Sequence, residues 1–472
     1  MQGAQRWAEE EFGDARLGDK RRTRRLVSIA AEVACRPAGV VSKACSSSAS
    51  REGAFRLLEN TSVPADAVQE AAFRATARRC SGQSRVVVAV DGSSLTLADD
   101  AQSKDLGGVG AWSKGARGVH AVSALALTPE GIALGVCSQQ MWVRAERSRH
   151  ASRRRARGAS ETDHWIDVLL GTRNVLSDVA PDCQPWFQVD RGGDCWQVLA
   201  VADRVGMLLT VRASYDRCVD AQGRHLWAAV VGTNVVATRR IDVPARPAAT
   251  RRKRVGHRRR IRVPTPPRQA RVAKVAIRAA PAPLAMTTPS GKRLTADFNA
   301  VYVKETGHLD DPLEWMLLTT HPIATRADVL EVVRAYALRW RVEEFHRTWK
   351  RGLCRVEDTQ LRSRSAIFKW ATILATVATR AMRLTQLART TPDAPASSEL
   401  SRTELRALFA LREPKGVRPG DPVTLAQAVR WLADIGGYTG PWNGPPGATV
   451  IGRGLHDVLI AARAFANLRK KR

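Results

Sequence analysis

The apolar positions change period several times along the chain, and each change predicts an element. From residue 1 to about 70, Trp7, Phe12, Leu17, Leu26 and Val27 recur at helical intervals. The stretch LGDKRRTRRLVSIAAEVA predicts a helix with Asp19 as its N-cap, and SASREGAFRLLEN predicts another after a Ser-rich break. A further helix is expected over ADAVQEAAFRATARRC. The period then collapses into a continuous apolar run, Val86 to Val90, ending at Asp91, as in a strand buried on both faces. VHAVSALALT and GIALGVCSQQMWVR, joined at Pro129-Glu130-Gly131, read as antiparallel partners. ETDHWIDVLLGTRNVLSDV returns to helical spacing. PWFQVDRGGDCWQVL predicts a short strand ending at Asp190, a glycine turn and a helix.

MLLTVRAS (207–214) is another buried strand. Between about 214 and 312, β-like runs such as LWAAVVGTNVVATRRIDV and FNAVYVKE alternate with Pro clusters, and LEWMLLTT then returns to the core sheet. EVVRAYALRWRVEEFHRTWK (331–350) has no Gly or Pro and reads as one helix. Helices follow in SAIFKWATILATVATRAMRLTQLA, SRTELRALFALR, TLAQAVRWLADIGGY and GLHDVLIAARAFANLRKKR, with a Pro/Ser-rich break at TTPDAPASSEL. The predicted architecture is α/β: a ribonuclease-H-like mixed sheet with an all-β insertion, flanked by helical N- and C-terminal domains. The expected limits are 1–70 for a helical DNA-binding domain, 71–387 for the sheet domain with its insertion at about 214–312, and 388–472 for a helical dimerisation domain.

Composition narrows the partner. Lys plus Arg number 75 against 45 Asp plus Glu, a formal charge of +30, which points to a polyanion and most simply to nucleic acid. No apolar run approaches the roughly 18 residues of a membrane span, and the acidic, amphipathic N-terminus does not read as a secretory signal. The eight Cys form no CxxC pair and no zinc spacing, as expected of free thiols in a reducing cytoplasm. The basic runs 144–158 and 251–263 read equally as DNA-contacting loops or solvated ones. There is no GxxxxGK[ST] phosphate loop.

The candidate chemistry lies in the helix 331–350. Arg339, Glu343 and Lys350 follow Tyr336 by three, seven and fourteen residues, which on one helix falls within an arc of about 60°. A carboxylate among cations suits phosphodiester chemistry: the acid can hold a divalent metal while Arg and Lys grip phosphate. An ion-paired, solvated face is the alternative. Asp91 and Asp190, each ending an apolar strand, complete a set of three acids with Glu343. Asp194 is the rival to Asp190 and is expected instead to cap the next helix. Two Mg²⁺ ions, for which Mn²⁺ can substitute, would relieve the repulsion among such carboxylates and activate water or a 3′-hydroxyl.

The spacing Tyr336-x2-Arg339-x3-Glu343-x6-Lys350, inside RWRVEEFHRTWK, resembles the signature of DDE cut-and-paste transposases of the insertion-sequence-four group, the Tn-five-like proteins. WAxxxF, LGDxRRTxRL, EGAFR, ARGVHAVSALAL, VDRGGD and IGGYTGPWNGPPG resemble further segments of that group. The resemblance implies catalytic, metal-holding Asp91, Asp190 and Glu343. It implies DNA contacts from Tyr336, Arg339 and Lys350, and end-DNA contacts from Arg21, Arg22 and Arg25. It also implies that Trp315, 21 residues before Tyr336, accepts a base flipped from the transposon end; on residue type alone Trp315 reads as core. Strand cleavage, hairpin formation, transfer into double-stranded target DNA, a homodimer on DNA and a bacterial cytoplasmic, nucleoid-associated setting are implied with it. Asp91 is followed by Gly-Ser-Ser where some members have Thr. The competing functions are a catalytically decayed DNA-binding protein and a nuclease using the same carboxylates.

Overall fold

In the computed structural model the described residues are 3–99, 103–110, 115–144, 160–219, 223–243, 245, 248–255, 259–288, 291, 293–307, 311–418, 420–440, 442 and 444–470. They divide into two compact units, Met1–Gln188 with Leu338–Arg472, and Val189–Ala337.

The first unit opens with five helices: α1 (Gly3–Phe12), α2 (Lys20–Cys35), α3 (Val41–Ala44), α4 (Ser48–Leu58) and α5 (Ala65–Cys80). Asp19 caps α2 as the sequence predicts, accepting from the Arg21 amide at 2.7 Å with extended backbone. Glu32, buried in α2, accepts from the Ser46 amide and hydroxyl and from the Ser50 hydroxyl, which fastens α2 to the start of α4. These bonds satisfy a carboxylate that burial alone would penalise.

Four strands follow: β1 (Arg85–Thr96), the two-residue β2 (Gly107–Gly108), β3 (Arg117–Leu127) and β4 (Ala133–Trp142). β3 pairs antiparallel with β1 on one edge and with β2 and β4 on the other. Val86–Val90 are at most 4% exposed, because helices cover both faces of the sheet. α6 (Glu161–Val179) lies against β3 and β4, and β5 (Gln184–Val189) joins the sheet beside β1.

The second unit holds α7 (Trp196–Arg204), β6 (Leu208–Arg212), α8 (Leu226–Val231), β7 (Ala237–Val243), β8 (Ala249–Val255), β9 (Arg259–Thr265), β10 (Arg271–Pro281), β11 (Leu284–Thr287), β12 (Arg293–Ala296), β13 (Asn299–Glu305), β14 (Glu314–Thr319) and α9 (Arg326–Ala337). Its antiparallel order is β6-β14-β13-β10-β7; β8–β9 and β11–β12 are separate hairpins. Two expectations change here. The segment 214–312 is not all β, because LWAAVV forms α8, burying Leu226, Ala229 and Val230 at helical spacing while Asp216 accepts from the Trp227 amide at 3.0 Å. Moreover, β7, β10 and β13 extend the same antiparallel sheet as β6 and β14 instead of standing apart from it.

The chain returns to the first unit with α10 (Trp340–Lys350), α11 (Arg364–Thr390), α12 (Arg402–Arg412), α13 (Leu425–Ile435) and α14 (Ala448–Lys470). The sequence predicts one helix over 331–350, and this also changes: α9 ends at Ala337, Leu338 and Arg339 form a turn, and α10 starts at Trp340. The Arg341 and Val342 amides reach only three residues back, to Leu338 and Arg339, tightening the backbone at the break. α13 and α14 touch backbone to backbone: a Cβ on Gly454 would sit 1.8 Å from the Leu432 carbonyl. Among the described residues no helix is long and apolar enough to cross a membrane.

α11 anchors the N-terminal helices. Lys369, 1% exposed, donates to the carbonyls of Leu58 (2.8 Å) and Asn60 (2.9 Å) at the end of α4, and Trp370 donates to Gly39 at 2.7 Å. Burial pushes the Lys369 ammonium below its ordinary pKa, the Glu59 carboxylate opposes that shift, and the two carbonyls accept its N–H groups. Lys369→Ala is expected to lower the unfolding free energy by about 2–3 kcal/mol, because it orphans both carbonyls and leaves a void. It should also speed tryptic cleavage within residues 1–60. A urea midpoint and digestion pattern equal to wild type would show that the ammonium is not the anchor.

Candidate active site

Asp91 is the first acid after the apolar part of β1. It pairs in register with Ser123 of β3, and by strand alternation Ser93 shares its face while Gly92 turns away. Gly92 lies against α6, where an added Cβ would come 3.2 Å from the Trp165 ring. The Asp91 face receives α10. His346 Nε2 lies 3.3 Å from the Ser123 hydroxyl, and Lys350 Nζ donates to the Ser93 hydroxyl at 3.2 Å. Phe345 and Trp349 stack with ring centroids 5.6 Å apart and are fully buried, which fixes the rotation of α10 on the sheet. Burial, with Lys350 and Arg339 nearby, pushes the His346 imidazole down to about 3, so it adds no charge at neutral pH.

One guanidinium ties the two elements together. Arg339 donates from Nη2 to Glu343 Oε1 at 2.7 Å and from Nη1 to Asp91 Oδ2 at 3.4 Å. Its side chain is 8% exposed, against 16% for Asp91 and 35% for Glu343. A strand acid and a helix acid 252 residues apart (343 − 91) therefore share one cation. Arg339 was expected to contact DNA; here its guanidinium is turned inward. Asp91 Oδ1 also accepts from the Gly92 amide at 2.7 Å.

The remaining signature residue, Tyr336, closes α9 in the second unit. It is 1% exposed and meets Trp315 of β14 edge to face, with centroids 5.1 Å apart. Trp315 is itself 2% exposed, so in this conformation it is a core residue and not an open aromatic surface. Tyr336, expected to grip DNA, is likewise inside.

Asp190 follows β5 and is half-buried, its Oδ1 accepting from the Gly192 amide at 2.7 Å across a tight turn. Asp194 is 2% exposed and committed elsewhere: it pairs with Arg217 at 2.7 Å and accepts from the Ser214 and Tyr215 amides. It does not cap α7, whose cap is Cys195, because these partners hold its carboxylate.

In the N-terminal helices, Arg21 and Arg25 are exposed at the start of α2, with Arg24 between them. Arg22 differs. It donates to the carbonyls of Leu17 (3.0 Å) and Ser62 (3.2 Å), holding the two ends of the helical segment together. Residues 145–158 of the first basic run lie outside the described residues, as do 256–258 of the second, whose flanks form β8 and β9. None of the eight cysteines is in a disulfide, and six of them are buried.

Among the described residues no group of three or more His, Cys, Asp or Glu is placed to hold a metal. The pair Asp91 and Glu343 nevertheless suits one. Their carboxylate oxygens are hard donors, partly open to solvent, and already balanced by a shared positive charge. One residue escaped sequence reasoning altogether: Glu357, on the turn after α10, accepts from the Thr96 amide at the end of β1. No local pattern marks it, because its partner stands 261 residues away.

Two family models match this chain. Residues 4–63, which span α1 to α4, match the family model for transposase DNA-binding domains. Residues 82–380, from the approach to β1 into α11, match the model for the transposase DDE domain. The second match covers more than half of the chain, and the protein belongs to the DDE transposase family. It is a DNA transposase with a DNA-binding region at its N-terminal end, and domains of this kind generally use divalent metal ions.

Two predictions follow from the geometry. Arg339→Met leaves Asp91 and Glu343 without their shared cation and should lower stability by about 1–2 kcal/mol, allowing for solvent at Glu343. Millimolar Mg²⁺ should then raise the melting temperature of the variant more than that of wild type; equal metal shifts would mean that the guanidinium and the metal do not serve the same acids. In the N-terminal helices, Arg21→Ala or Arg25→Ala should weaken DNA binding and reduce the salt slope by about one. Arg22→Ala should mainly lower thermal stability, and the assignment is wrong if calorimetry and salt-dependent binding show the reverse.

Proposed function

We propose that this chain is a cut-and-paste transposase of the insertion-sequence-four group that cleaves the ends of its element and joins them to target DNA. Asp91, Asp190 and Glu343 are its catalytic carboxylates. The observation that carries the proposal is the Arg339 guanidinium spanning Asp91 and Glu343. It brings a strand acid and a helix acid to one cation within the segment, from α9 to α10, that has the family's spacing.

In this reading the same carboxylates hold two Mg²⁺ ions, with Mn²⁺ able to substitute. Bound divalent ions would neutralise phosphodiester charge and make water or a 3′-hydroxyl a better nucleophile. The protein's own residues supply position. The turn at Gly192 orients Asp190, α10 presents Glu343, and Lys350 faces the strand that carries Asp91. His346, neutral and buried beneath, supports the helix without competing for phosphate. Arg21 and Arg25 hold the transposon end through phosphates or base edges, and the helices after 388 serve a homodimer on DNA. Hairpin closure of the cut end is part of the proposal. A base-accepting role for Trp315 requires its ring to leave Tyr336.

A labelled donor end with target DNA provides the test. Wild-type protein should give joined strands with Mg²⁺. Asp91→Ala, Asp190→Ala and Glu343→Ala should each lower cleavage by at least about a thousandfold while keeping Kd for end DNA within about threefold. Cleaved but never joined ends would identify a nuclease. Binding without chemistry in wild type would identify a decayed protein, and wild-type cleavage by one variant removes that residue from the site.

A further inference from the structure

α10 is tied to β1 at two places, and only the first involves the carboxylates described above. At the second the charges are inverted: one acid lies among cations. Glu357, with its side chain 8% exposed, accepts from the Thr96 amide at 2.9 Å through Oε1 and pairs with Arg351 Nε at 2.6 Å through Oε2. Its Oε1 also lies 3.7 Å from Lys350 Nζ, and that ammonium donates in turn to Ser93 two residues beyond Asp91. Lys350 is thus held between the strand that bears Asp91 and an acid on the following turn.

The backbone supports this as a built arrangement. Glu357 sits in a single tight turn, Val356–Asp358, entered through Arg355 in the left-handed region at φ 51°. A non-glycine residue persists there only where its surroundings determine it. Here the Arg355 carbonyl is so close to Gly39 that a Cβ on the glycine would lie 1.9 Å away, and Val356 is fully buried. The turn therefore delivers the Glu357 carboxylate inward, beneath the end of α10. With Oε1 engaged by Thr96, its attraction for Lys350 acts across 3.7 Å, longer than a hydrogen bond. The ammonium is steered but keeps N–H groups for a further acceptor.

We propose that Glu357 is a positioning residue for the transposition reaction: it sets the Lys350 ammonium beside β1 so that it meets the DNA phosphate next to the Asp91 carboxylate. The inference rests on the reading of Lys350 as a DNA contact. Arg351, 77% exposed, shields the outer oxygen of Glu357 and leaves the inner one to Thr96 and Lys350.

The test is a double-mutant comparison in single-turnover cleavage of a labelled transposon end, with binding and melting temperature measured on each protein. Glu357→Gln keeps the shape and an acceptor for Thr96 but loses the charge. It should slow cleavage on the order of tenfold with Kd for end DNA changed less than about threefold. In a Lys350→Ala background the same change should cost less than about twofold more, because the residue it positions is gone. Should the Gln variant not fold, Glu357→Asp, which keeps the charge and shortens its reach, takes its place with the same readouts. Wild-type cleavage by the folded variant, or losses that simply multiply with Lys350→Ala, overturns the inference. Wild-type cleavage by Lys350→Ala alone removes the reading of Lys350, and the inference with it; slow Lys350→Ala beside fast Glu357→Gln removes the inference only.

Discussion

Two carboxylates on different elements repel unless a cation lies between them, and this constraint organises the first unit. Asp91 lies within β1, paired on to Thr96, and the residues before it are buried on both faces, so it cannot move away. Glu343 rides a helix whose rotation is fixed by Phe345 and Trp349. Arg339 resolves the conflict by donating to both. A guanidinium is suited to the task, because its planar fork presents several donors and stays charged at any working pH. Arg339 keeps helical backbone at the head of α10, and its reach to Glu343 is the ordinary helical pairing of residues four apart.

The second tie, through Glu357, gives α10 a fixed height on β1 as well as a fixed rotation. Two hydrogen bonds also cross to α10 from the sheet, Ser93 of β1 with Lys350 and Ser123 of β3 with His346. An apolar interface alone would hold the helix but tolerate sliding. Charged and hydrogen-bonded contacts are directional, so they fix where along β1 the helix sits. α11 continues the logic outward: a long buried helix whose Lys369 and Trp370 carry the N-terminal, DNA-binding helices on backbone carbonyls.

Much of this was legible from residue order. The run Val86 to Val90, closed by a turn-forming Asp-Gly, read as a buried strand, and the 3.6 period with Asp19 ahead of it read as a helix start. The span of α5 over 65–80 and of α6 over 161–179 follows from local pattern, because an amphipathic helix writes its buried face into every third or fourth residue. The fate of Asp194 was not legible, because the partners that hold it, Arg217 and the Ser214 and Tyr215 amides, lie beyond α7 and β6. The helix at 226–231 was not, because LWAAVV is short and apolar and fits either period. Nor was the break at Leu338 and Arg339, which contains neither Gly nor Pro and answers to contacts made far away.

The sequence by itself determined most of the elements and the DDE transposase family. These are matters of neighbouring residues, and neighbours are what a linear pattern records. The tertiary structure alone decided what each charge does. Arg339 lies between two acids, Arg22 braces carbonyls, Asp194 is spent on Arg217, and Trp315 and Tyr336 turn inward against each other. It also brought Glu357 to the end of β1 from 261 residues away. A charged side chain gains or loses its role by what lies within a few ångströms, and only the folding of distant segments onto one another sets that.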